Sequence, residues 1–177
     1  QLYFRISKMF IISSTLILSF NFIFCLDERY HTYEEVHQQL IDWDVEFGNT
    51  PNAIAQYPGS GIVYDLIEIG YSNNLNLPFW AVKLSYNADI NEDEPKVLIL
   101  GQCHAEEILG VEIAMEIIDW FLHPLEHVQI FNTVLKPILQ NTEIWVVPTH
   151  NPEGLGVVHG IEIDGVYYQD ETFRKNI

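Results

Sequence analysis

The stretch KVLILG at residues 96–101 narrows the architecture more than any other part of the chain. Consecutive branched aliphatic side chains with no polar alternation predict a strand buried on both faces, the pattern of a sheet covered by helices. It leads directly into EEILGVEIAMEIIDWFL at 106–122, where Val111, Met115, Ile118 and Leu122 fall on one stripe of a helix. EIWVVPT at 143–149 reads as a second buried strand. Apolar central strands alternating with an amphipathic helix predict an α/β protein, a three-layer α/β/α sandwich around a mixed sheet.

The remaining elements extend this frame. Thr32 precedes YEEVHQQLIDWDVEF with Glu35 three positions on, a capping-box start for a helix that carries Val36, Leu40, Trp43 and Phe47 along one side. Gly48, Asn49 and Pro51 end it. Alternating, β-branched and aromatic segments at Val63–Ser72 and Phe79–Ser85 flank the turn-prone SNNLNLP and predict a strand pair. A helix is expected from Val128 to Gln140, bent or restarted near Pro137. NPEG at 151–154 reads as a turn, and IEI-DG-VYY at 161–168 as a hairpin with Asp-Gly at its tip.

Charge limits what the chain can meet. Its 25 Asp and Glu outweigh 8 Lys and Arg, and between Tyr30 and Phe173 only Lys83, Lys96 and Lys136 are basic. Such a body repels a phosphate backbone, which excludes nucleic acid as a partner. Two cysteines, Cys25 and Cys103, cannot form a disulfide framework. Arg5 and Lys8 stand before an uncharged apolar run from Phe10 to Phe24, the layout of a secretory signal. Residues 1–26 are therefore set apart as a signal peptide or signal anchor, and export is expected, to a secreted or periplasmic location. A retained anchor would attach the protein to a membrane through residues 9–26.

The chemistry gathers where the 96–101 strand ends, in GQCHAEEILG. His104 and Glu107 sit three apart in a strand-to-helix turn, so that an imidazole nitrogen and a carboxylate can reach one cation together, and zinc accepts both ligand types. Cys103 beside them reads as a buried small hydrophobe rather than a thiolate ligand. Downstream, EIWVVPTH runs into NPEG, and the chain reaches TFRKNI.

That order of motifs, a His-x-x-Glu at a strand end, a long amphipathic helix, a strand followed by Asn-Pro-acid-Gly, then an aromatic residue before Arg-Lys-Asn, resembles the zinc carboxypeptidases, the metallopeptidases of carboxypeptidase A and B type. YHTYEEVHQQL and LIEIGYS resemble that family's opening helix and first hairpin. The resemblance implies that residues 27–177 are the N-terminal portion of a catalytic domain acting on peptide or protein C-termini, with one Zn2+ held by His104 and Glu107. It makes Arg174 the catalytic arginine that polarises the scissile carbonyl. The family's third ligand, a histidine, its carboxylate-binding Asn-Arg pair and its glutamate base come later than Ile177. The 177-residue piece is accordingly expected to bind zinc weakly, to show no turnover and to expose an incomplete sheet.

One departure stands inside the motif: Glu106 occupies a position where many members carry Arg. Two rival readings exist. HPLEH at 123–127 has the His-x-x-Glu-His form of inverted zinc peptidases, but Pro124 pushes His123 out of the helical region and separates it from His127. The chain could instead be a non-catalytic carboxypeptidase-like binding module. His150 and His159 are taken as polar loop residues.

Overall fold

The computed structural model describes residues 29–51, 57–124, 126 and 130–175. The apolar segment of residues 9–26 and His127 lie outside them. Helix α1, Tyr33–Phe47, begins with the expected box: Glu35 N–H donates to Thr32 Oγ1 at 3.2 Å and Thr32 N–H to Glu35 Oε2 at 2.8 Å. Its stripe of Val36, Leu40, Trp43 and Phe47 is buried, and Gly48 N–H closes the last turn on the Asp44 carbonyl.

Strands β1, Tyr64–Tyr71, and β2, Pro78–Leu84, pair antiparallel with a bulge between Glu68 and Gly70. Strand β3, Lys96–Gln102, is followed by helix α2, Leu109–Leu122. A π-helical turn, Phe131–Leu135, runs into the short helix α3, Lys136–Leu139, which places the expected irregularity just before Pro137. Strand β4, Glu143–Thr149, then enters between β2 and β3, antiparallel to the first and parallel to the second, and the sheet order is β1-β2-β4-β3. The result is the mixed sheet with helices expected of this fold class. Val82, Leu84, Ile144 and Val146 form one core with the buried stripes of α1 and α2. Each such fully buried aliphatic side chain contributes about 2 kcal/mol of apolar transfer.

Two expectations are corrected. KVLILG forms a strand, but not one buried on both faces. β3 pairs only with β4 and is the sheet edge among the described residues, so Val97, Leu98 and Leu100 are 46%, 62% and 54% exposed. An apolar run reports what a strand can be covered by, not what covers it. NPEG is not a turn but the first turn of helix α4, Pro152–His159. Asn151 Oδ1 accepts from Gly154 N–H at 3.1 Å, and Pro152 at the first helical position gives up an N–H that a helix leaves unpaired anyway. After α4, β5, Ile161–Ile163, and β6, Val166–Tyr168, form the expected hairpin, with Asp164 at φ 51° and Gly165 at φ 76° at its tip.

Three clasps hold the layers in place. Glu143, 1% exposed, receives Lys83 Nζ at 3.1 Å and Lys96 Nζ at 2.9 Å, joining β2, β3 and β4. Burial alone would raise its carboxyl, yet hydrogen bonds from Lys96, Lys83, Trp145 and the Glu92 backbone hold it down at about 2. Glu153, 3% exposed, accepts from the Asn74 and Leu75 backbone and from Asn74 Nδ2, tying the β1–β2 loop to α4. Gly101 and Gly110 touch backbone to backbone: a Cβ on Gly110 would meet the Gly101 carbonyl oxygen at 2.7 Å. That contact sets the first turn of α2 against the end of β3.

Candidate active site

The segment between β3 and α2 is a compact turn rather than helix. Glu107 N–H donates to the His104 carbonyl and Gly110 N–H to the Glu107 carbonyl, both at 3.0 Å, and α2 starts only at Leu109. This turn presents His104 and Glu107 at the C-terminal ends of the parallel strands β3 and β4, where α/β sheets place their sites.

His104 Nδ1 lies 2.8 Å from Glu107 Oε1, and the His104 N–H donates to Glu107 Oε2 at 3.2 Å. Those hydrogen bonds, from the ring and then the backbone of His104, hold the Glu107 carboxyl below its usual range, with Arg174 adding to the effect. Both side chains are roughly two-fifths exposed, so the pair faces solvent. Arg174 comes from the far end of the described chain to the same place. Its Nη1 lies 2.5 Å from Glu106 Oε1 and its Nη2 3.4 Å from His104 Nε2. The three site residues expected from the sequence therefore converge, across 70 positions of chain.

An imidazole nitrogen and a carboxylate on one turn are donor types that zinc accepts, and they fit part of a zinc site. Among the described residues no group of three or more His, Cys, Asp or Glu is placed to hold a metal ion. Cys103 is exposed, not the buried hydrophobe expected, because the strand ends at Gln102 and the next residue already belongs to the turn. His123 closes α2 as its C-cap, with Nδ1 2.8 Å from Asp119 Oδ1, which removes it from any helical ligand pair. His150 N–H donates to the Gln102 carbonyl. His159 is the last residue of α4 rather than a loop residue, and burial lowers its pKa.

Sequence reasoning missed two features. Glu106 is more than a lost cation: it is the carboxylate that grips Arg174. Behind the turn, Gln102, Thr149 and Asn151 are buried polar residues joined by hydrogen bonds. A polar residue closing each of two apolar strands was the available signal.

The sequence model for zinc carboxypeptidase matches residues 55–176. A zinc carboxypeptidase of Saccharothrix mutabilis subsp. capreolus is 33% identical over 97 residues, 55% of this chain and 20% of that protein. Carboxypeptidase SOL1 of Arabidopsis thaliana is 25% identical over 92 residues, 52% of this chain and 18% of that protein. The chain thus spans about a fifth of the length of the curated relatives it matches. Among solved structures, thrombin activatable fibrinolysis inhibitor superposes with a TM-score of 0.60 at 16% identity, covering 83% of this chain and 30% of that one. Carboxypeptidase A of Helicoverpa armigera does so with a TM-score of 0.58 at 20% identity, covering 83% and 29%. These two show the shared fold.

Proposed function

The chain belongs to the zinc carboxypeptidase family, and on that premise we propose that the full protein is a zinc-dependent carboxypeptidase that hydrolyses the C-terminal peptide bond of peptides and proteins. The observation that carries this reading is the convergence of His104, Glu107 and Arg174 at the exposed turn after β3. His104 and Glu107 are the residues of this chain that would hold Zn2+. A third protein ligand and the general base come from beyond residue 177.

Zinc, when bound, supplies a Lewis acid that makes water a nucleophile near neutral pH. The chain's own residues supply charge balance and positioning. Glu107, whose carboxyl lies below its usual range, would provide negative charge that balances the cation. Arg174, 61% exposed, can reach a substrate carbonyl and offers a positive donor where negative charge develops. Glu106 holds the guanidinium by an ion pair, limiting its search before substrate arrives. Export, with attachment through residues 9–26 where that segment is retained, is proposed from the apolar run after Arg5 and Lys8.

In the full-length protein, His104→Ala is expected to lose both bound zinc, read by elemental analysis, and release of C-terminal residues. Arg174→Ala is expected to keep the zinc and lower kcat by about 10²–10³, the range seen when an oxyanion donor is removed. Stoichiometric zinc in His104→Ala overturns the ligand assignment, and an unchanged kcat in Arg174→Ala overturns the role of the arginine.

A further inference from the structure

The register of the sheet sets Gln102, the last residue of β3, beside Thr149, the last residue of β4. They are 0% and 5% exposed, and Asn151 just beyond is 4% exposed. Gln102 Nε2 donates to the Ala105 carbonyl at 2.8 Å, and Gln102 Oε1 accepts from Thr149 Oγ1 at 2.5 Å. Thr149 Oγ1 in turn accepts from Asn151 N–H at 3.0 Å. Asn151 Oδ1 caps α4, while its Nδ2 donates to the Lys175 carbonyl at 3.3 Å. The series begins on the backbone of the His104–Glu107 turn and ends on the backbone beside Arg174.

We infer that Gln102, Thr149 and Asn151 are positioning residues, a buried relay that fixes the His104–Glu107 turn relative to Arg174. The inference rests on the reading of His104, Glu107 and Arg174 as the active site. Polar side chains at the buried ends of apolar strands cost stability unless their groups are paired, and here each pairing has one polarity. The Ala105 group that Gln102 meets is its carbonyl, so the Gln102 amide presents its NH2 there and its oxygen to Thr149. The Thr149 hydroxyl then donates to Gln102 and accepts from Asn151, and neither partner can turn over without breaking two bonds. Apolar residues would fill the same space without this directional coupling. Partners that orient metal ligands from behind typically carry about 10- to 100-fold in affinity or activity.

Thr149→Val preserves shape and removes both hydrogen bonds, and Thr149→Ser restores them. Asn151→Asp keeps an acceptor for Gly154 N–H and replaces the donor to Lys175 by a carboxylate oxygen that repels that carbonyl, so it breaks the Arg174 side while the helix start keeps its cap. In the full-length protein, Thr149→Val and Asn151→Asp are expected to lower kcat by about 10- to 100-fold with KM nearly unchanged, and Thr149→Ser to stay within about threefold of the parent. In parallel, amide hydrogen exchange on the metal-free protein is expected to accelerate about tenfold at Glu107 and Asn151 in Thr149→Val, with the amides of β2 unaltered. Unchanged exchange at Glu107, or a kcat in Thr149→Val equal to that of Thr149→Ser, overturns the relay. If the parent protein neither holds zinc nor hydrolyses peptides, the proposed function fails, and the exchange measurement alone then decides whether the relay couples the two segments.

Discussion

Replacing Glu143 by Gln tests the clasp at the centre of the sheet. The carboxylate is 1% exposed and accepts from Lys83 Nζ at 3.1 Å, Lys96 Nζ at 2.9 Å and Trp145 Nε1 at 3.2 Å. Its folded pKa is about 2 against 4.5 for the free group. Because the folded value lies below the unfolded one, the contribution is fully present above about pH 4.5 and is lost as pH falls toward 2. The difference corresponds to about 2–3 kcal/mol, allowing for screening on the side of the half-exposed Lys96. Glu143→Gln also removes the carboxylate that Lys83, 4% exposed, contacts directly, leaving Asp65 opposite it on β1, and breaking a buried pair from one side is costly in the same direction. Urea unfolding at pH 7 should therefore show a midpoint lowered by about 1–1.5 M, taking a slope of about 2 kcal/mol/M. At pH 3 the gap between parent and variant should shrink to about half. An equal midpoint at pH 7, or a gap that stays constant as pH falls, would refute the assignment of this carboxylate as a buried, charged clasp.

Gly110→Ala reverses the usual sign for a helix. Alanine ordinarily gains about 1 kcal/mol over glycine, but here its Cβ would press on the Gly101 carbonyl at 2.7 Å, and thermal unfolding should show destabilisation; a raised Tm would disprove the close contact. Leu98→Lys combined with Leu100→Lys, made in residues 27–177 expressed alone, should reduce self-association in light scattering without changing the unfolding midpoint, since both side chains are more than half exposed. Undiminished association would place the sticky surface elsewhere.

Local signals were legible wherever one residue type has one use. The Thr32–Glu35 box and the Asp164-Gly165 tip appear as expected because a cap and a type I′ turn each require a few residue types in fixed order. His104, Glu107 and Arg174 came from a combination of motifs, and the fold brings them together. What failed was context. Asn-Pro starts turns and helices alike, and only the packing of Leu155, Val157 and Val158 decides for α4. Leu98 and Leu100 have the composition of a central strand, whereas their exposure depends on neighbours that composition does not encode. The Gln102–Thr149–Asn151 bonds were invisible because their partners meet only after β3 and β4 align.

The interposition of β4 between β2 and β3 also orders events in time. The β1–β2 pair closes over a short loop and can form as soon as Leu84 is available. β3 follows in synthesis at Lys96 but has no seat on β2, since its parallel neighbour begins only at Glu143. At about 5–20 residues per second, the ribosome leaves KVLILG without its ladder for roughly 2–10 seconds. During that interval the segment is an uncharged aliphatic stretch looking for backbone partners, with Lys96 and the acidic residues of 92–94 at its entrance as the local deterrents to pairing with another nascent chain. A chaperone that recognises short aliphatic segments would meet an unpaired one there, before Thr149 has been made.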